Sequence, residues 1–118
     1  ITGRLKEMIV RGGENISPYE IENHIKNFPY VADVKVIGIE AEVLQEEIAA
    51  CIVTDGRKKL NETEMREFLS QHLAAYKIPK YFIFLKKFPL NASGKIILSE
   101  LKNQIKTIIN ENNKNELS

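Results

Sequence analysis

Val31–Ile39 reads VADVKVIGI and Glu47–Thr54 reads EIAACIVT, and these two stretches decide the fold of the chain. Both are rich in β-branched and other apolar residues, a composition typical of β-strands. The residues between them, Glu40–Glu46, are mostly polar and predict a connection. Two strands of a small sheet are therefore expected in the middle of the chain.

A helix is predicted before the first of these strands. Ser17–Glu20 (SPYE) has the pattern of a capping box with proline at the first helical position. Ile21, Ile25 and Phe28 follow at helical spacing, so they lie on one face. Phe28-Pro29 ends the helix, because the residue before a proline disfavours helical backbone.

Two more helices and a third strand follow the central pair. A second capping box, Asn61–Glu64, begins a helix that ends before Tyr76–Pro79. Tyr81–Leu85 (YFIFL) is a wholly apolar run, which is typical of a central strand. The last helix begins at Leu98, and the polar residues 110–118 predict a frayed end.

The stretch before the first helix predicts a short β-hairpin. Residues 4–11 are a short charged stretch interrupted by Leu5, Met8, Ile9 and Val10, and Gly12-Gly13 is a turn signal. The complete order predicts an α+β fold, in which a small sheet of about three strands is packed with helices and preceded by this hairpin. A chain of 118 residues suits a single domain, 1–118, with one core.

Composition argues against several classes of function. With 17 basic and 16 acidic residues the net charge is +1, which gives no case for nucleic acid or an anionic membrane as a partner. No apolar run approaches the roughly 20 residues of a membrane span. One cysteine, Cys51, and two scattered histidines, His24 and His72, predict neither a disulfide nor a metal site. Without a targeting segment a cytoplasmic location is expected, and Ile1–Gly3 reads like the middle of a longer protein.

Pro89–Ile96 (PLNASGKI) carries the strongest chemical signal. Glycine lets a backbone approach a ligand closely, and the Lys95 ammonium is a compact charge suited to a phosphate that gains negative charge. The stretch is not a Walker A loop, because Pro89 replaces its first glycine and Ile96 its Ser/Thr. Taken alone, Lys95 is also compatible with an ordinary solvated loop lysine. Cys51 is interpreted as a buried small hydrophobe, and both histidines as structural or surface residues.

Three stretches in order carry a family resemblance: GRLKEMIVRGGENISPYEIE (Gly3–Glu22), VADVKVIGI (Val31–Ile39) and YKIPKYFIFLKKFPLNASGKI (Tyr76–Ile96). Together they resemble the C-terminal domain of the adenylate-forming enzymes, which include acyl-CoA synthetases, aryl-CoA ligases, luciferases and peptide-synthetase adenylation domains. The resemblance runs from Gly3 to about Ile105. Within the family, MIVRGGENISPYEIE looks most like acyl- or aryl-CoA ligases.

The resemblance implies a two-step reaction that uses ATP and CoA as substrates. Enzymes of this family join a carboxylic acid to ATP, which gives an acyl-adenylate and pyrophosphate. They then pass the acyl group to a thiol, usually that of CoA. A large N-terminal domain, outside these 118 residues, binds ATP, Mg²⁺ and the acid, and the small C-terminal domain rotates between two poses. Alone, the C-terminal domain is expected to be inactive.

Residue roles follow from the same resemblance. Lys95 matches the adenylation lysine, Lys6 matches the hinge residue, and Arg4 matches an arginine near the ribose. Ile78 replaces a basic residue that some relatives carry beside the proline. The positions that match pantetheine or CoA contacts are Gly12, Gly13, Glu14, Tyr76, Lys77 and Lys80.

Two alternatives to a CoA ligase remain open. One is the equivalent part of a peptide-synthetase adenylation domain, whose acceptor is the phosphopantetheine arm of a carrier protein. The other is a non-catalytic α+β binding module, although the presence of both Lys6 and Lys95 favours catalysis. The acid pocket belongs to the N-terminal domain, so the resemblance does not name a particular acid or an oligomeric state.

Overall fold

The computed structural model describes residues 8–117, with side chains as far as Glu111. Arg4 and Lys6 lie outside the described residues. The chain divides into two compact units at the Lys86–Lys87 bond. In chain order the elements are β1 (Ile9–Arg11), β2 (Glu14–Ile16), α1 (Pro18–Lys26), β3 (Val31–Ala41), β4 (Gln45–Thr54), α2 (Glu62–Ser70), a 3₁₀ turn (Ala75–Lys77), β5 (Tyr81–Leu85) and α3 (Leu98–Leu117).

The sheet of the first unit is built on β4. Strand β3 pairs antiparallel along one edge of β4, from Val31 opposite Thr54 to Ala41 opposite Gln45. The other edge is shared, because β1 pairs with β4 only where Arg11 is opposite Gln45, and β5 pairs with it in parallel from Ala49 onward. Strand β2 lies antiparallel beside β1. The α+β fold is confirmed, and the predicted hairpin is part of a sheet of five strands.

The core of the first unit is an apolar cluster shared by the five strands and helices α1 and α2. Alternate residues of β3 and β4 point to one face of the sheet, and the apolar faces of both helices meet them there. Burying each large aliphatic side chain stabilises the fold by roughly 1.5–3 kcal/mol. The fully or nearly fully buried members include Ile9, Ile16, Ile21, Ile25, Val36, Ile48, Ile52, Met65 and Leu69.

The predicted central position of β5 is wrong. Among the described residues β5 pairs with β4 alone, so it is an edge strand. Its apolar composition has another cause: Phe82 and Ile83 point to opposite faces, yet they are only 6% and 7% exposed. Because both faces are covered, the strand does not alternate between apolar and polar residues.

Helix ends also differ from the predictions. Ser17 is the N-cap of α1 but makes no side-chain capping bond, whereas the Asn61 Oδ1 atom accepts from the Glu64 N–H at 2.8 Å as a cap should. Helix α1 ends at Lys26, and its last turn is a tight one, in which the N–H groups of Asn27 and Phe28 donate to the carbonyls three residues earlier. Helix α3 continues to Leu117, and the fraying expected for 110–118 stays a prediction.

Candidate functional site

Lys95 lies in the second unit, in a short turn closed by the Leu90–Ile96 bridge. Asn91 organises this turn. Its side-chain oxygen Oδ1 accepts three hydrogen bonds, from the Ser93 N–H (2.9 Å), the Ser93 hydroxyl (2.8 Å) and the Lys95 N–H (3.0 Å). Its backbone N–H donates to the Lys95 carbonyl at 2.9 Å, and its carbonyl accepts from the Gly94 N–H. The turn is therefore held by its own polar groups.

The Lys95 side chain is exposed. Among the described residues of its own unit, its ammonium has no hydrogen-bond or ion-pair partner. Gly94, just before it, has φ +84°, a left-handed conformation that other residues adopt at a cost. A fixed backbone thus carries a cation that has no partner within the described part of its unit, which suits an anion that comes from outside the turn.

The Gly12–Gly13 turn joins β1 to β2 in the first unit. Its φ angles, +57° and +86°, are those of a type I′ hairpin turn. The Gly12 N–H donates to the Leu44 carbonyl at 2.8 Å, and a Cβ on Gly12 would lie 3.2 Å from the Leu44 Cδ2 atom. A Cβ on Gly13 would meet nothing within 4 Å. One glycine therefore docks the turn on the sheet, and the other presents bare backbone to the outside.

Glu47 connects this hairpin to Lys80. Glu47 is only 8% exposed. Its carboxylate lies 2.6 Å from the Arg11 Nε atom and 3.8 Å from the Lys80 Nζ atom. Glu47 sits on β4 between the stretch that pairs with β1 and the stretch that pairs with β5. Removing either cation would leave a largely buried charge with one partner fewer. The structure thus brings together the Gly12–Gly13 turn, whose neighbour is Arg11, and the predicted CoA-binding residue Lys80.

Tyr76 and Lys77 lie in the 3₁₀ turn between α2 and β5. Tyr76 is 41% exposed, so its ring is open to a ligand. The Lys77 Nζ atom lies 3.1 Å from both carboxylate oxygens of Glu20 on α1. This hydrogen-bonded pair raises the pKa of Lys77 above its usual value. A phosphate that binds Lys77 would therefore compete with Glu20.

Arg66 on α2 fixes the backbone that follows Lys77. Its guanidinium donates to the carbonyls of Pro79 (2.9 Å) and Lys80 (2.6 Å) and lies over the Phe82 ring at 4.9 Å. A third hydrogen bond joins its Nε atom to Glu62, one helical turn earlier. Planar guanidinium groups hold such multiple contacts well, so the segment that carries Lys80 is anchored to α2.

Three of these organising residues, Asn91, Glu47 and Arg66, were not among the predicted site residues. Asn91 has a local signal, because an asparagine side chain often accepts a hydrogen bond from the backbone N–H two residues further on and so forms a turn. Glu47 has none, since its partners Arg11 and Lys80 are far from it along the chain. For Arg66, no local pattern indicates the bonds to the carbonyls of Pro79 and Lys80, which lie in a later segment than α2. Both roles depend on which elements pack together, and composition does not specify that.

Cys51 and the histidines take structural positions. Cys51 is fully buried in β4, as predicted, and burial raises the pKa of its thiol to about 12. His24 and His72 stack with ring centroids 5.3 Å apart. Among the side chains that the structure describes, residues 8–111, no group of three or more His, Cys, Asp and Glu is arranged to hold a metal ion. None of the described helices is long and apolar enough to cross a membrane.

Comparison with known proteins places these features in a family. Residues 20–95 match the family described as the AMP-binding enzyme C-terminal domain. Over 110 residues the chain is 39% identical to the bovine (Bos taurus) mitochondrial medium-chain acyl-CoA ligase ACSF2. This match covers 93% of the chain and 18% of that protein. Over 96 residues it is 45% identical to the Bacillus subtilis putative acyl-CoA synthetase YngI, a match that covers 81% of the chain and 18% of the relative.

A solved structure agrees with the sequence relatives. The Mycobacterium tuberculosis fatty acyl CoA synthetase matches with a TM-score of 0.78 and 42% identity, over 86% of this chain and 20% of that one. The chain thus spans about a fifth of the length of the relatives it matches.

Proposed function

The chain belongs to the AMP-binding enzyme C-terminal domain family, and on that premise we propose that it is the C-terminal part of an AMP-forming ligase that joins a carboxylic acid to a thiol. Its similarity to a medium-chain acyl-CoA ligase and a fatty acyl CoA synthetase supports a fatty acid as the substrate. ATP and CoA would be the other substrates. The acid pocket, the Mg²⁺ site and most ATP contacts would belong to an N-terminal domain, and the location would be cytoplasmic.

The observation that carries the proposal is the exposed Lys95 ammonium, which has no partner among the described residues of its unit and lies on a turn that is already hydrogen bonded. In the first step a carboxylate oxygen attacks the α-phosphorus of ATP, and pyrophosphate leaves. Two anions must approach each other, so a fixed cation between them lowers the repulsion in the transition state. Because the Lys95 ammonium has no partner in its own unit, binding these anions breaks no existing ion pair there.

The second step would use the Gly12–Gly13 hairpin. After the domain rotates about Lys6, the thiol sulfur attacks the acyl carbonyl, its proton is released, and AMP leaves. The bare backbone at Gly13 would let a pantetheine arm pass close to the turn. Glu14 is exposed beside it, and Tyr76, Lys77 and Lys80 would meet the nucleotide part of CoA. The Arg11–Glu47–Lys80 contacts support this grouping, because they hold the turn and Lys80 on one segment of the sheet.

Acid-dependent exchange of pyrophosphate into ATP tests the first step. The full-length polypeptide that contains this chain is assayed with short, medium, long-chain and aromatic acids. Lys95→Ala should reduce exchange on the order of 10²–10³-fold, the usual effect of removing one preorganised charge-stabilising donor. Lys106→Ala, which removes another exposed lysine of the same unit, is the matched control. Exchange that survives Lys95→Ala would contradict the proposal.

The thiol acceptor is tested separately. With acyl-adenylate formed in place, free CoA should yield acyl-CoA. A product formed only on a phosphopantetheine carrier protein would point instead to a peptide-synthetase-type adenylation domain. A folded full-length protein that exchanges pyrophosphate with none of the acids would favour a binding module.

A further inference from the structure

Asn91 holds Lys95 at both of its backbone polar groups. The Lys95 N–H donates to the Asn91 side chain at 3.0 Å, and the Lys95 carbonyl accepts from the Asn91 N–H at 2.9 Å. With both groups bonded to one residue, the peptide planes on either side of the Lys95 Cα atom are fixed. The direction in which its side chain leaves the turn is fixed with them.

The remaining acceptor capacity of Asn91 stiffens the same turn. The Ser93 N–H and hydroxyl donate to the same Oδ1 atom, at 2.9 and 2.8 Å. The Gly94 N–H donates to the Asn91 carbonyl at 3.0 Å. Five hydrogen bonds within one exposed turn thus meet on Asn91. Each of these hydrogen bonds contributes little net free energy, because water competes for the same groups in an exposed turn. Together they order the turn locally and add little to the stability of the whole protein.

We propose that Asn91 is a positioning residue for Lys95, and that it acts on the adenylate-forming step and not on thioester formation. This inference rests on the proposed function. A long, flexible lysine side chain reaches a defined point only if its Cα atom and its starting direction are constrained. Displacing a reacting group by about 1 Å can cost on the order of 10²-fold in rate.

The acceptor must be both short and neutral. Asparagine supplies an sp² oxygen that lies within reach of the turn and brings no charge to Lys95. Aspartate would accept the same hydrogen bonds but would place a negative charge beside the lysine and the incoming phosphate. Alanine supplies no acceptor. Asn91→Asp and Asn91→Ala therefore separate the order of the turn from its charge.

The test compares Asn91→Ala, Asn91→Asp and Lys95→Ala in the full-length polypeptide that contains this chain. Asn103→Ala, which removes an exposed asparagine of α3 in the same unit, is the control. Two rates are measured: acid-dependent ATP–pyrophosphate exchange, and thioester formation from supplied acyl-adenylate and CoA. Hydrogen–deuterium exchange of peptides covering 89–97 reports the order of the turn.

Asn91→Ala is expected to lower pyrophosphate exchange about 10- to 100-fold, mainly in kcat, with thioester formation unchanged. Its 89–97 peptides should exchange deuterium faster than those of the wild type, and Asn91→Asp should restore their slow exchange. If Lys95→Ala abolishes pyrophosphate exchange but Asn91→Ala exchanges pyrophosphate at the wild-type rate, the positioning role of Asn91 is overturned and the role of Lys95 is not. Equal losses in both steps would also overturn it, since they indicate general damage. If Lys95→Ala itself leaves exchange intact, the proposed function of Lys95 fails, and the inference fails with it.

Discussion

Gly13→Ala, compared with Gly56→Ala, tests whether bare backbone at the first turn serves the thiol. The two glycines have nearly the same φ, +86° and +87°, and a Cβ on either would meet nothing within 4 Å. Alanine in this left-handed region costs roughly 1–2 kcal/mol at either position. The two variants should therefore lose similar amounts of stability, which thermal unfolding can check.

The positions of Gly13 and Gly56 separate a loss of stability from a direct effect on the thiol step. Gly13 lies two residues after Arg11, which pairs with Gln45 at the start of β4, whereas Gly56 lies two residues beyond Thr54 at the end of β4. At about 3.3 Å per residue these two ends of β4 are on the order of 30 Å apart. A ligand arm that passes one turn would not contact the other.

The expected effect can be estimated from the space that a methyl group needs. Adding a methyl group to a well-filled space typically costs about 1–3 kcal/mol, which corresponds to about 5- to 160-fold in rate. Gly13→Ala should therefore slow thioester formation from supplied acyl-adenylate and CoA by that factor and leave pyrophosphate exchange unchanged. Gly56→Ala should change neither rate. Equal thioester rates in the two variants would refute the role given to Gly13.

Two further predictions concern structure and pH. Arg66→Ala removes donors to the carbonyls of Pro79 and Lys80. It should lower the free energy of unfolding by on the order of 2 kcal/mol and raise the KM for CoA. An unchanged KM would show that the Arg66 contacts do not affect CoA binding. Burial raises the pKa of Cys51 from 9.0 to about 12, so the folded state holds its proton more tightly than the unfolded state. The contribution of the protonated thiol to the free energy of unfolding is then fully present below pH 9. It declines by on the order of 4 kcal/mol as pH rises toward 12. The difference in unfolding free energy between wild type and Cys51→Ala should shrink over that range, and a constant difference would contradict the burial.

Local chemistry predicted most of the fold. The β-branched runs became β3 and β4, the Asn61 cap begins α2, and the Gly12–Gly13 pair forms a hairpin turn. Each depends on residues close together in sequence, where composition and backbone preference act directly. The edge position of β5 was missed because an apolar run reports that both faces are buried and does not report how many neighbours a strand has.

The candidate site was only partly predictable for the same reason. Lys95 stood out because it follows a glycine in a polar loop. The Glu20 partner of Lys77 is 57 residues away, and Glu47 is 36 residues from Arg11. Such ion pairs depend on which elements pack together, so no local pattern indicates them. They change the expectation for Lys77, whose charge already has a partner within the chain.

We propose that Lys95 serves adenylate formation and not the thiol step. Thioester formation by the full-length Lys95→Ala variant, measured with supplied acyl-adenylate and CoA, tests it most directly. The variant should form thioester at the wild-type rate although its ATP–pyrophosphate exchange has fallen by on the order of 10²–10³-fold. A variant that loses thioester formation to the same extent, or that keeps pyrophosphate exchange, would contradict it.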